Sequence, residues 1–399
     1  MKFNFTHITD IHLGSYGQGN VEAGGLNSRF IDFVKTYNEA IDYTIENNCD
    51  FCLIPGDIFK HKDPQPIEMD AFGNGLNKLR EANIPVIIVL GNHDLFLSER
   101  LKNSIAVLKT MNLSGIYISE QPENIYIKTK AGDKICIQTM PYQSKALLGM
   151  DTHEEVALYI KDTMDEFYKI KEKGVPCIFA GHFSIKDSVT GAEQQTINKF
   201  NEPIVGKDAF MGKKYVYAAM GHLHRFQEVM KDPIVVYGGS LNRTDFNEWK
   251  EDKGFVHGTF DGTFSYKFVK VNAKKFIDLE YNVEDSENPE EDILADLESR
   301  KEELNDAIVR ISVNLSEKNR TSYSAANISE YLSDHNAGIH GGISPHIVKM
   351  DVEKSEYNEN MDSIDVLKRY CESNPNIINK QKFLKFAEDI IKETNLTAK

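Results

Sequence analysis

Val86–Asp94 reads Val-Ile-Ile-Val-Leu-Gly-Asn-His-Asp. Five apolar residues stand between Pro85 and Gly91, and an amide, an imidazole and a carboxylate follow. Such a run is expected to be a buried strand that stops abruptly at the glycine. Polar groups at the carboxyl end of a buried strand sit where α/β sheets place their sites. Alone, Asn92-His93-Asp94 would be better read as an Asx-type turn. The same arrangement recurs along the chain, however, and that changes the reading.

Phe3–Thr9 ends in Asp10-Ile11-His12, and Phe51–Ile54 ends in Pro55-Gly56-Asp57. Cys177–Ala180 ends in Gly181-His182, and Tyr215–Met220 ends in Gly221-His222-Leu223-His224. Glycine at four of these five ends lets the backbone turn sharply and approach a bound ion. Asp10, His12, Asp57, Asn92, His182, His222 and His224 thus offer seven nitrogen and oxygen ligands. A single ion rarely needs seven. Two ions sharing one carboxylate would use them all, with Asp57 as the natural bridge. No cysteine lies in the set, which argues against a closed structural zinc site. Mixed imidazole and carboxylate ligands suit manganese, iron or zinc with positions left open for water. Two ions roughly 3.5–4 Å apart would activate a water and neutralise the charge of a phosphate.

Asp-x-His, Gly-Asp, Gly-Asn-His-Asp, Gly-His and Gly-His-x-His, in this order, resemble the calcineurin-like metallophosphoesterase superfamily. Asp57-Ile58-Phe59 with Pro64 and Pro66 beyond it, and Gly239-Ser240-Leu241 leading into Arg243-Thr244-Asp245-Phe246, resemble the SbcD family. SbcD is the nuclease subunit of a double-strand-break repair complex. The likeness covers about the first 250 residues well and the rest in outline.

The resemblance implies an α/β (α+β) fold: a β-sandwich of two mixed sheets flanked by helices, a small α+β capping domain and a C-terminal helical segment. It implies two divalent ions, manganese first among them. One would be held by Asp10, His12, Asp57 and His224, the other by Asp57, Asn92, His182 and His222. His93 would bind the phosphate and protonate the leaving 3′ oxygen, work suited to an imidazole. Asp94 would orient a neighbour of the ligands. The implied activities are an exonuclease on duplex ends and an endonuclease on single strands. The implied partners are DNA, an SMC-type ATPase of the SbcC kind, and a second copy of the chain. Many members carry a histidine or aspartate where Lys60 stands. Here His61 comes one place late, which puts any substrate role of that position in doubt.

The 399 residues suffice for two or three domains, and an apolar content of 41% is that of an ordinary globular core. Five scattered cysteines argue for a reducing compartment. Cys49-Asp-Phe-Cys52 is read as two packing residues. A strand begins at Phe3, so no signal peptide is expected, and no apolar run is long enough for a membrane span. A cytoplasmic protein is expected.

The net charge of −15 stands against DNA binding, since phosphate contacts supply most non-specific affinity. Glu284–Asp306 carries eleven acidic residues against Arg300 and Lys301, a net of −9 in one segment. A modest positive patch is expected from residues such as Arg29, Lys60, Lys62, Lys186 and Arg243, with Arg29, Lys60 and Arg243 as substrate contacts.

Helices are expected over Arg29–Asn47, Pro66–Ala82, Ser98–Met111 and Glu154–Lys173, and two short strands over Tyr126–Met140. By resemblance, the helices around 66–82 and 98–111 form the homodimer interface. Expected domains are 1–250 for the nuclease, 251–354 for the capping domain, 355–362 as linker and 363–399 as partner-binding helices. Strands at Ala307–Leu315 and His346–Val352 and a helix near Ala325–Ser333 belong to the second domain. Ser363–Cys371 and Gln381–Glu393 each carry one apolar face, which suits docking on the ATPase or packing of the two helices on each other. Two rival readings stay open. One is a phosphatase or small-molecule phosphodiesterase of the same superfamily. The other is a DNA-end-binding clamp with a vestigial metal site.

Overall fold

Val86–Leu90 is apolar at every position because both of its faces are covered. Val86 and Ile88 pack with Phe33, Tyr37, Phe72 and Leu76 of two helices. Ile87 and Val89 pack instead with Phe5, Ile137, Ile178 and Tyr217 of other strands. The computed structural model describes every residue except 23, 96–102, 192–201, 336, 349–361, 374–378 and 398–399.

The chain opens as β1 (Lys2–His7), α1 (Ser28–Glu46), β2 (Phe51–Pro55), α2 (Pro66–Glu81), β3 (Val86–Val89), α3 (Ala106–Met111) and β4 (Ile116–Ser119). The four strands run parallel. Each helix start has a local cause. The Asn27 side chain accepts hydrogen bonds from Arg29 N and Phe30 N at the head of α1. Pro66 opens α2, where the Glu68 carboxylate reaches back to Gln65 N. Of the expected helix Ser98–Met111, residues 98–102 lie outside the described residues, and the described helix begins only at Ala106.

Next come β5 (Glu123–Lys128), β6 (Lys134–Met140), α4 (Lys145–Leu148), α5 (His153–Ile170), β7 (Cys177–His182), β8 (Ser184–Ile185), β9 (Ile204–Val205), β10 (Tyr215–Gly221), β11 (Gln227–Lys231) and β12 (Ile234–Tyr237). Two further strands, β13 (Gly254–Asp261) and β14 (Thr263–Lys270), return to the first sheet, where β13 pairs antiparallel with β1. The sheet orders are β14-β13-β1-β2-β3-β4 and β11-β12-β10-β7-β6-β5. Both are mixed. The first sheet therefore runs past residue 250 to Lys270.

The two sheets meet over one buried layer that includes Phe3, Phe51, Leu53, Ile87, Ile135, Ile178, Ala219 and Val236. Helices α1 and α2 cover the outer face of the first sheet, and α5 covers the second. This is the expected two-sheet sandwich flanked by helices. His7, expected as a packed core residue, is fully buried with Nδ1 3.0 Å from the Tyr217 hydroxyl.

The chain divides into two compact units. The first comprises Met1–Asp278, Lys301–Arg310 and Leu332–Gly341, and the second comprises Leu279–Arg300, Ile311–Tyr331 and Gly342–Lys399. Beyond β14 lie β15 (Phe276–Asn282), α6 (Pro289–Ser299), α7 (Lys301–Leu304), β16 (Ile308–Ser316), α8 (Ala325–Asp334), β17 (Gly338–Val348), α9 (Ser363–Ser373) and α10 (Lys380–Thr397). The expected acidic helix is broken at Arg300 into α6 and α7. The last strand starts at Gly338, eight residues before the expected His346, because its glycines hide the strand pattern. The expected linker 355–362 falls almost wholly outside the described residues. No described helix is long and apolar enough to cross a membrane.

Candidate metal centre

The five strand ends converge as expected. Asp10 and His12 follow β1, Asp57 follows β2, Asn92 follows β3, His182 closes β7, and His222 and His224 follow β10. Three donor clusters fall within 4.8 Å: Asp10 with His12 and His224, Asp57 with His182 and His222, and His12 with Asp57 and His93. Asp57 lies between the two halves. Its Oδ2 is 3.6 Å from His12 Nε2, and its Oδ1 is 3.4 Å from His182 Nε2.

The backbone is held out of its ordinary conformations here. Asp10, His12, Asp57 and His222 have φ of 50°, 49°, 53° and 97°. Such non-glycine conformations cost on the order of 1–3 kcal/mol each and gather at functional sites. Two glycines allow the close approach: a Cβ on Gly91 would collide with Asp57 Oδ1, and one on Gly56 with His182 Nδ1.

The hydrogen bonds fix which nitrogen of each ring points inward. His182 Nδ1 lies 2.7 Å from the Pro55 carbonyl, which only accepts, so that nitrogen carries the proton. His224 Nδ1 is 2.8 Å from the Glu248 carboxylate, His222 Nε2 is 2.9 Å from Glu202, and His93 Nδ1 is 2.7 Å from the Lys60 carbonyl. In each neutral ring the other nitrogen then faces the centre with a lone pair. Those lone pairs meet acceptors. Asn92 Oδ1 is 3.0 Å from His182 Nε2 and 3.1 Å from His222 Nδ1, and His12 Nε2 is 2.9 Å from His224 Nε2. Acceptor facing acceptor calls for protons or cations between them. The donor set therefore fits a pair of divalent ions, with outer partners that orient each imidazole.

Electrostatics agree. Burial opposes charge on Asp57, yet His182, His93 and His12 hold its carboxyl well below the usual range. Burial alone would lower His182, but the Asp57 carboxylate lifts it to about 9. Burial beside His224 drives His12 well down. Asp94 is fully buried. Its Oδ2 accepts from Asp57 N and Gly91 N, both at 2.9 Å, and its Oδ1 accepts from Ile58 N at 3.0 Å. It ties the loop after β2 to the loop after β3. Burial and the nearby Asp57 raise its carboxyl to about 6.

The expected substrate contacts need correction. Arg29 is buried in the interior, where its guanidinium bonds Asp32 at 2.7 Å, Asn242 Oδ1 at 3.0 Å and the Arg243 carbonyl at 2.8 Å. Arg243 bonds the carbonyls of Lys274 and Glu251. Lys60 Nζ bonds the Ser15 carbonyl and lies over the Tyr16 ring. All three brace loops around the site. Gln194 and Gln195 lie outside the described residues.

Two residues were missed. Glu248 is fully buried behind His224 and is held by Lys253 Nζ at 2.6 Å and Thr244 Oγ1 at 2.7 Å. Lys253 and His224 overcome its burial and keep its carboxyl well below the ordinary range. Glu202 meets both His222 and the Tyr142 hydroxyl. Glu248 stands just beyond the Arg243–Phe246 stretch that the sequence singles out, and Glu202 carries no local signal.

Residues 3–226 match the sequence profile described as calcineurin-like phosphoesterase. The chain belongs to that family. As a phosphoesterase it resembles several curated proteins. It is 26% identical over 286 residues to the DNA double-strand break repair protein Mre11 of Methanococcus maripaludis, covering 69% of this chain and 67% of that protein. It is 26% identical over 312 residues to the protein of the same name from Archaeoglobus fulgidus, covering 73% and 64%. It is 25% identical over 290 residues to the uncharacterized metallophosphoesterase YhaO of Bacillus subtilis, covering 67% and 60%. The matches thus span about two thirds of the length of these relatives.

Proposed function

We propose that this phosphoesterase is a two-metal DNA nuclease of a double-strand-break repair complex, with manganese as its working ion. It would act as an exonuclease on duplex ends and an endonuclease on single strands. The observation that carries this is the splitting of Asp57, one oxygen toward His12 and the other toward His182. Asp10, His12, Asp57 and His224 would hold one ion, and Asp57, Asn92, His182 and His222 the other. When bound, the pair supplies an activated water and neutralises charge on the phosphate.

The chain's own groups do the rest. Glu248, Glu202 and the Pro55 carbonyl fix the ring orientations of His224, His222 and His182. His93 stands beside the ligand set, its ring 4.9 Å from that of His12. With Nδ1 bonded to the Lys60 carbonyl, its protonated ring presents the Nε2 proton to the departing 3′ oxygen. Similarity to proteins named for double-strand break repair supports DNA as substrate.

Exposed Ile67, Val107 and Met111 on α2 and α3 support a homodimer through this face. Helices α9 and α10 pack on each other and still expose Tyr370, Phe383, Phe386 and Ile390. That supports docking of the SMC-type ATPase there. A second reading, a small-molecule phosphodiesterase, draws on the net charge of −15 and on the interior placement of Arg29 and Arg243.

The test is cleavage of end-labelled duplex and circular single-stranded DNA with manganese, with magnesium and with chelator. Bis-p-nitrophenyl phosphate is run beside them. Manganese-dependent cleavage of both DNAs supports the nuclease. Turnover of the small ester with intact DNA would refute it.

A further inference from the structure

A cavity of about 470 Å³ opens directly beside Asn92 and His93. That is far more than a phosphate needs and falls in the range of small-molecule pockets. Its walls away from the proposed metals are apolar: Leu95, Leu147 and Pro203, with the Tyr142 ring among them. Two ammonium groups, Lys62 and Lys145, also line it, and neither has a carboxylate partner among the described residues. The one acid in the lining, Glu202, is already engaged by His222 at 2.9 Å and the Tyr142 hydroxyl at 3.2 Å. The pocket therefore combines a flat apolar interior, a positive rim and an end shared with the phosphate site.

A ligand that complements all three has a phosphate at one end and a planar, weakly polar ring within reach of it. We infer that this cavity receives the nucleoside next to the scissile phosphate, with its base between Tyr142 and the leucine walls and the neighbouring phosphates on Lys62 and Lys145. The inference rests on the nuclease reading and sharpens it. A base in this pocket is not stacked in a duplex, so the nucleotide is cleaved only once its base has left the helix. Aromatic and apolar walls accept any base through its π-face, so weak sequence preference accompanies the pocket.

The experiment is calorimetric titration of the manganese-loaded protein with thymidine 5′-monophosphate and with methyl phosphate. Both ligands carry the same phosphate, and only one carries a nucleoside. The expected result is at least tenfold tighter binding of the thymidine ligand. Leu147→Trp, which fills the cavity from α4, should reduce that ratio to within about twofold of unity. Ala146→Phe on the same short helix serves if the first variant fails to fold, as judged by its melting curve. Equal affinity for the two ligands in the wild type overturns the inference. So does a ratio that survives in a folded variant. DNA cleavage is measured on the same preparations. Loss of the nuclease reading would appear there alone and leave the affinity ratio intact.

Discussion

Replacing Glu248 by glutamine separates the metal centre from the fold that supports it. The carboxylate is fully buried and makes three contacts: His224 Nδ1 at 2.8 Å, Lys253 Nζ at 2.6 Å and Thr244 Oγ1 at 2.7 Å. Glutamine keeps the shape and can still accept from His224, but it removes the charge that makes the ring a better ligand. Losing such an outer partner lowers metal affinity about 10–100-fold, or about 1.4–2.7 kcal/mol. Only the ion on Asp10, His12, Asp57 and His224 should weaken, because His182 and His222 are oriented by Pro55 and Glu202. A two-site manganese isotherm should therefore split, with one affinity falling and the other holding. The fold will also suffer. Lys253 keeps Glu251 at 2.9 Å, so the loss should stay below the roughly 3–5 kcal/mol seen when a buried charge loses its only partner. Adding Lys253→Met to Glu248→Gln should restore stability but not metal affinity, which distinguishes the two roles. An isotherm unchanged in Glu248→Gln, with only the melting temperature lowered, would refute the positioning argument.

His93→Asn should retain two ions and DNA binding while cleavage falls by about 10²–10⁴; loss of metal would make His93 a ligand instead. Gly91→Ala places a Cβ against Asp57 Oδ1 and should weaken both ions together by at least tenfold, and a purified variant still carrying two ions by elemental analysis would count against the bridge. Burial depresses His7 from 6.5 to about 3. Below pH 6.5 the unfolded chain thus takes up a proton that the folded one refuses, and stability drains as pH falls toward 3 by at most about 1.4 kcal/mol per unit. In His7→Gln the slope of unfolding free energy over that window should be shallower by about 1 kcal/mol per pH unit, and identical slopes would refute it. A chain ending at residue 358 should keep its manganese and cut short single strands yet fail to co-purify with an SMC-type ATPase; undiminished partner binding would remove α9 and α10 from that role.

The ligand set was legible because each member is announced locally. A buried strand needs an apolar run, a sharp stop needs glycine, and a ligand must stand at the stop, so Gly91-Asn92 or Gly221-His222 can be read without the fold. Glu248 and Glu202 could not be read this way. Their work depends on which ring they meet across the molecule, and neither stands at the end of an apolar strand. Arg29 and Arg243 show the converse. A positive charge suggests DNA, but residue type does not reveal that Asn242 and the Lys274 carbonyl enclose these guanidiniums. The first sheet was readable strand by strand, while the return of β13 to the edge of β1 is a matter of topology. The late start expected for β17 followed from its glycines, which carry no strand signature although the backbone pairs all the same.

The proposed ligands come from opposite sides of the sandwich. Asp10, His12, Asp57 and Asn92 hang from the first sheet, and His182, His222 and His224 from the second. Each ion would therefore be gripped from both sheets, as a rivet passes through two plates. The apolar layer holds the middle of the sandwich, and the rivets close its rim. Ion occupancy then adds to the resistance against prying the sheets apart, by about 2.7 kcal/mol for a site filled at a hundredfold its dissociation constant. Substitutions that thin the apolar layer would be masked in manganese-replete cells and exposed when the ion is scarce, so the same gene variant could be silent or crippling according to metal supply.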